Sequence, residues 1–181
     1  MLVLLDRDGV INEDRPDFVK TPDELVFIPG SLEAITKLNN SGHKVAIVTN
    51  QSCIGRGLIN EERLNEIHGK LRASVKSAGG HVDHIFVAPD APWAATEMRK
   101  PGAGMMRAAM EKFAARGKDT ILVGDTADDL QAAKKAGCRR ILVQTGKGEA
   151  TQAAGIDREL LPVRVAADLS EAVSLILEEN I

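Results

Sequence analysis

Apolar residues fall along this chain in two alternating patterns: short unbroken runs, and longer stretches where they recur every three or four positions. The runs at residues 2–5, 44–48, 81–87, 119–123 and 140–143, with a shorter one at 163–166, read as strands buried on both faces. Between them, Leu32, Ile35 and Leu38 share one helical face, with Ser31 as the predicted N-cap. Leu64, Ile67, Leu71 and Val75 share another, on a helix capped by Asn60 and ended by Gly79-Gly80. Further helices are predicted through Met106, Ala109, Met110 and Phe113, up to Gly137, and from Ser170 to Glu178. Strands alternating with helices predict an α/β, three-layer, Rossmann-like fold with a central, mainly parallel sheet. Residues 9–29, 53–59, 88–99 and 144–162 lack either period and read as loops. A loop as long as 9–29 is uncommon unless it has a function.

Composition narrows the classes. With 181 residues, one domain spanning 1–181 is expected, with no large added domain. A net charge of -3, with Lys and Arg dispersed, offers no footprint for nucleic acid or an anionic membrane. Aromatics are 3% and Tyr is absent, which argues against a base-stacking surface. The apolar run at 2–5 is too short for a signal peptide or a membrane span. Cys53 and Cys138 are two distant thiols, read as packing residues rather than a disulfide framework. A soluble, cytoplasmic monomer is the expectation.

The chemistry lies where strands stop. Leu2-Val3-Leu4-Leu5 ends at Asp6-Arg7-Asp8-Gly9, two acids one residue apart. In open α/β sheets ligands bind at the carboxyl ends of strands. Two carboxylates ionised together at the edge of a dry core repel, and a magnesium-type cation taking oxygen ligands removes that cost. Thr49 ends the second strand, Asp125 follows the fourth, and Lys100 lies in the 88–101 stretch. Together these supply a nucleophile, an acid, a hydroxyl, an ammonium and metal ligands, the parts of a phosphoryl-transfer site. Read singly, Asp6 and Asp8 are turn acids, Thr49 a strand-end hydroxyl and Lys100 a solvated cation. Asp128 reads as a helix N-terminal acid. His43, His68, His81 and His84 show no metal spacing and receive no role, and Trp93 is read equally as a cover for the site or an anchor for its loop.

The order of these motifs resembles the haloacid dehalogenase superfamily of phosphatases. Asp6-Arg7-Asp8-Gly9-Val10 is similar to its first motif, Thr49 to the second, Lys100 to the third and Gly124-Asp125-x-x-x-Asp129 to the fourth. A narrower resemblance, to the heptose-bisphosphate and histidinol-phosphate phosphatase group, rests on Asp6 to Asn12, Phe18-Val19 to Pro29-Gly30, Thr49-Asn50-Gln51-Ser52 with Gly55-Arg56-Gly57, and Arg99-Lys100-Pro101. The D-glycero-D-manno-heptose 1,7-bisphosphate 7-phosphatases match better. That resemblance implies Asp6 as nucleophile and Asp8 as acid and then base. It implies Mg²⁺ on Asp6, Asp125 and the Asp8 backbone carbonyl, and phosphate held by Thr49, Asn50 and Lys100. Asp129 would orient Lys100 or a metal-bound water. Asn12, Ser52, Arg56 and Arg99 are candidates for the rest of a small sugar phosphate, Arg56 being equally readable as a solvated loop cation. The place implied is the making of nucleotide-activated heptose for lipopolysaccharide or another surface glycan.

The chain departs from the group in one loop. Many members carry zinc on Cys-x-His and then Cys-x-Cys before Arg-Lys-Pro. The matching positions here are Ala88, Asp90, Thr96 and Met98, so no structural zinc is expected. Cys53 also stands where Gly is usual. Rival readings are a histidinol-phosphate phosphatase, a catalytically silent phosphosugar-binding protein, and a nucleic-acid end phosphatase, the last disfavoured by the charge pattern.

Overall fold

Six strands pair side by side in one parallel sheet: β1 (Leu2–Leu5), β2 (Lys44–Asn50), β3 (His84–Ala88), β4 (Thr120–Gly124), β5 (Arg139–Val143) and β6 (Arg164–Ala166). The computed structural model describes residues 1–178. The single-domain reading includes 179–181, which lie outside them. Strand order is β3-β2-β1-β4-β5-β6, so the chain builds outward from β1 in one direction and then from β4 in the other. The helices are α1 (Ser31–Asn40), α2 (Ser52–Gly55), α3 (Glu61–Ser77), α4 (Gly104–Lys112), α5 (Ala127–Lys135), α6 (Gly148–Ala153) and α7 (Leu169–Glu178).

Alternate residues of each strand face opposite layers. Val3 and Leu5, with Val45, Ile47, Ile121 and Val123, pack against Ile35 and Leu38 of α1, Ile67 and Leu71 of α3, and Val173 and Ile176 of α7. Leu2 and Leu4, with Ala46, Val48 and Leu122, pack against Met105 and Met106 of α4 and Ala132 and Ala133 of α5. Both faces of β1 are therefore dry, as its unbroken apolar run requires. Among the described residues no helix is long and apolar enough to cross a membrane.

Several local expectations change. Ser31 does not cap α1. Gly30, with φ of 80°, precedes the helix, and the Ser31 hydroxyl donates instead to the carbonyl of Ile11, tying the 9–29 loop to α1. Asn60 does cap α3, accepting from the Arg63 N–H. The third strand begins at His84 rather than residue 81, because the Asp83 carboxylate takes the Val45 N–H that a longer ladder would use. Two stretches read as loops contain short helices, α2 and α6, too brief to show a helical period.

Candidate active site

The two directions of sheet growth diverge between β1 and β4, and the carboxyl ends of these strands open a crevice. Asp6 follows β1, its N–H still bonded to the carbonyl of Val123 in β4. Asp125 follows β4. Residues 119 positions apart thus meet because their strands are neighbours. A pocket of about 450 Å³ opens over them, lined also by Asp8, Asn50, Ser52, Arg99 and Lys100.

Lys100 is a buried cation of the site, 2% exposed. Its Nζ lies 2.9 Å from Asp6 Oδ2 and 2.6 Å from Asp129 Oδ1, and donates to the Val48 carbonyl. Burial alone would strip its proton, but the Asp129 and Asp6 carboxylates outweigh this and hold it firmly charged. Asn50 grips the same residue by its backbone, donating to the Lys100 carbonyl and accepting from its N–H. Asp129 is held by the capping box of α5, its Oδ2 accepting from the Thr126 N–H and hydroxyl. Each oxygen of Asp129 is therefore committed, one to the cap and one to Lys100.

Asp8 sits in a different environment. Its carboxylate accepts from Arg7 Nη2 at 2.9 and 3.0 Å, from Asn12 Nδ2 at 2.9 Å and from Gln51 Nε2 at 2.8 Å. Burial pushes Asp8 up, but the Arg7 guanidinium and the Asn12 and Gln51 donors together hold it below the usual carboxylate range. Gln51 Nε2 also donates to the Thr49 hydroxyl, whose residue is fully buried at the end of β2.

The sequence candidates divide by position. Asp6, Asp8, Asn50, Ser52, Arg99, Lys100 and Asp125 line the pocket, as does Asp128 in the first turn of α5. Asn12, expected against substrate, is instead wholly buried and spends its amide on Asp8 and the Glu13 carbonyl. Arg56, the other substrate candidate off the lining, lies between two rings at the rim, 5.0 Å from the Trp93 centroid and 5.7 Å from that of Phe18. The altered loop is tied by hydrogen bonds: Asp90 Oδ2 accepts from the Thr96 N–H and hydroxyl, and Arg99 Nη1 donates to the Asp90 carbonyl.

Sequence reasoning missed residues whose partners are distant in the chain. Gln51 reaches Asp8 from 43 residues away, and His68 meets Arg7, itself bonded to Asp8, across 61. Lys147 donates its N–H to Asp125 Oδ2 and pairs through Nζ with Asp14 across the mouth. Thr145 donates to the Gly9 carbonyl. Gly9 and Gly146 both have positive φ, and a Cβ on either would overlap the Asp125 carboxylate. The glycines in the 144–148 stretch were the available signal.

The donors fit a hard divalent cation. Carboxylate oxygens of Asp6, Asp125 and Asp129 lie within 4.8 Å of one another. Asp125 Oδ1 is buried without a hydrogen-bond partner. Burial and the neighbouring Asp129 push Asp125 up to about 7, and burial pushes Asp6 well above its ordinary value despite Lys100. Asp6 and Asp125 line the pocket and Asp129 does not, so the first two are the carboxylates of the cluster that face it. An all-oxygen set suits magnesium.

Known proteins similar to this chain identify its family. Residues 97–172 match the HAD-hydrolase-like family model. Over 178 residues the chain is 43% identical to the D-glycero-beta-D-manno-heptose-1,7-bisphosphate 7-phosphatase of Bordetella bronchiseptica, with 98% of each chain covered. It is 44% identical to the enzyme of the same name from Pseudomonas putida, over 88% of this chain and 91% of that one. The crystal structure of the D,D-heptose 1,7-bisphosphate phosphatase from B. bronchiseptica, complexed with magnesium and phosphate, superposes with a TM-score of 0.93 at 42% identity, covering 98% of both chains. The chain belongs to the haloacid dehalogenase-like hydrolases, within the heptose-1,7-bisphosphate 7-phosphatase family, and is a phosphoric monoester hydrolase.

Proposed function

We propose that this protein removes the 7-phosphate of D-glycero-β-D-manno-heptose 1,7-bisphosphate, leaving the 1-phosphate, through a phosphorylated Asp6. The observation that carries this is the crevice itself. The Asp6–Lys100–Asp129 cluster and the separately held Asp8 occupy the pocket base, and Arg15, Arg99 and Lys147 also line it. Arg99 donates to a backbone carbonyl and pairs with no carboxylate among the described residues, so its charge is available to a second phosphate.

Asp6 would attack the phosphorus while Asp8 gives its proton to the departing sugar oxygen, so that the phosphorus–oxygen bond to carbon 7 breaks as that to Asp6 forms. A phosphate dianion arriving beside Asp8 raises its proton affinity, which makes the carboxyl the acid the step needs. Asp8, now a carboxylate, takes a proton from water, which attacks phosphorus and frees Asp6 and phosphate. Lys100 and Thr49 would hold the phosphoryl oxygens, with Asn50 fixing the backbone of Lys100. Mg²⁺ on Asp6, Asp125 and the Asp8 carbonyl would supply charge neutralisation between the anionic nucleophile and the anionic phosphate. Ser52 and Arg99 would contact the remainder of the sugar phosphate. A single-domain, cytoplasmic monomer in the supply of activated heptose for a surface glycan completes the proposal.

Phosphate release from heptose 1,7-bisphosphate, histidinol phosphate and several hexose phosphates, each with Mg²⁺ and with EDTA, tests it. One phosphate released from the bisphosphate in preference to the others, and lost with EDTA, is the expected result. A preference for histidinol phosphate, or release indifferent to EDTA, would reject it.

A further inference from the structure

We infer that His68 of α3 is a positioning residue for the reaction, because its ring anchors the Arg7 guanidinium that aims the Asp8 carboxyl. This rests on the reading of Asp8 as the acid.

Arg7 stands between the two site acids, yet its side chain is 1% exposed. It cannot turn to water, so its donors must find partners within the protein. Nη2 serves both Asp8 oxygens and Gln51 Oε1, and Nε has no partner. Nη1 meets His68 Nε2 at 3.2 Å. Arginine carries no acceptor, so the ring nitrogen must accept, and the imidazole is neutral with its proton on Nδ1. His68 is itself buried, 61 residues along the chain from Arg7, on the face of α3 that also carries the core residues Ile67, Leu71 and Val75.

The guanidinium is planar, so fixing Nη1 fixes the direction of Nη2. His68 thereby sets from behind the line along which Arg7 meets Asp8, while Asn12 and Gln51 hold the carboxylate from other sides. Without the ring acceptor, the buried Nη1 seeks another partner and Nη2 turns away from Asp8. The carboxyl then no longer points its proton at the leaving oxygen. Only leaving groups that require a proton should suffer.

The test compares kcat/KM for a sugar phosphate, whose alkoxide must be protonated, with that for p-nitrophenyl phosphate, whose phenolate leaves unaided. Both values report steps up to leaving-group departure, so the later use of Asp8 as base does not enter. His68→Leu should lower kcat/KM for the sugar phosphate by about ten-fold or more, since general acids contribute about 10²–10⁴-fold, and leave the nitrophenyl ester within about two-fold. His68→Gln, which returns an acceptor at similar reach, should restore the loss. If the leucine variant does not fold, His68→Asn, whose amide stops short of Arg7, gives the same comparison. Equal losses on both esters, no loss on either, or no rescue by glutamine would overturn the inference. Asp8→Asn separates the two levels: if it too fell equally on both esters, the fault would lie in the reading of Asp8.

Discussion

Asp125 illustrates how much a single residue here depends on what is missing around it. Its carboxylate fits because Gly9 and Gly146 have no side chains and approach with positive φ, and because the Lys147 N–H fixes one oxygen. Gly146→Ala would strain the backbone and displace the carboxylate. The variant should lose about 10–100-fold in Mg²⁺ affinity, the range for disturbed ligand supports, as read by metal-dependent thermal shift, while its fold by circular dichroism is kept. Unchanged affinity would remove the glycines from the account. Asp6, Asp8, Lys100 and Asp125 were legible in the sequence because chemistry-bearing types follow strands or stand in a recognisable motif. Arg7, Gln51 and His68 were not, since Asp8 meets Gln51 across 43 residues and Arg7 meets His68 across 61, and only the fold closes those distances. Asn12 misled for a different reason: a polar residue beside the site acids in sequence turned inward to hold one of them.

At the scale of elements, the strands place the reacting groups and the loops shape the mouth. The strands were readable because burial on both faces demands unbroken apolar runs, and α3 because its stripe spans about three turns. The helices α2 and α6 were not, having four and six residues. Three loops meet where Arg56 lies between Phe18 and Trp93, which links residues 9–29, 53–59 and 88–99 over the rim. Trp93 is 72% exposed, so this contact is a surface one, worth about 0.5–1 kcal/mol. Arg56→Ala should loosen the rim without touching the reacting groups. We expect KM for the bisphosphate to rise a few-fold with kcat within about two-fold. Unaltered KM and kcat would leave Arg56 a solvated loop cation.

For the molecule as a whole, the buried acids couple stability to pH and metal. Asp125 is pushed up to about 7 by burial and by Asp129. A carboxyl raised in the folded state contributes stability that is whole below its ordinary value near 4 and lost as pH rises through about 7. The metal-free protein therefore carries this cost at neutral and alkaline pH, where Asp125 must ionise beside other carboxylates. A cation competes with that proton and stabilises the folded form by mass action. The rise in Tm produced by a fixed Mg²⁺ concentration should consequently be larger at pH 8 than at pH 5.5. An equal shift at both values would mean that Asp125 does not ligate the metal. The parallel sheet, with its crevice between β1 and β4, is what brings these charges together.

The most direct test of the central claim is rapid-quench mass spectrometry of the enzyme during turnover of heptose 1,7-bisphosphate with Mg²⁺. A transient phosphoryl group is expected on the peptide carrying Asp6, absent from an Asp6→Asn variant that retains its fold and no longer turns over. A phosphoryl group on another residue, or sustained turnover by Asp6→Asn, would contradict it.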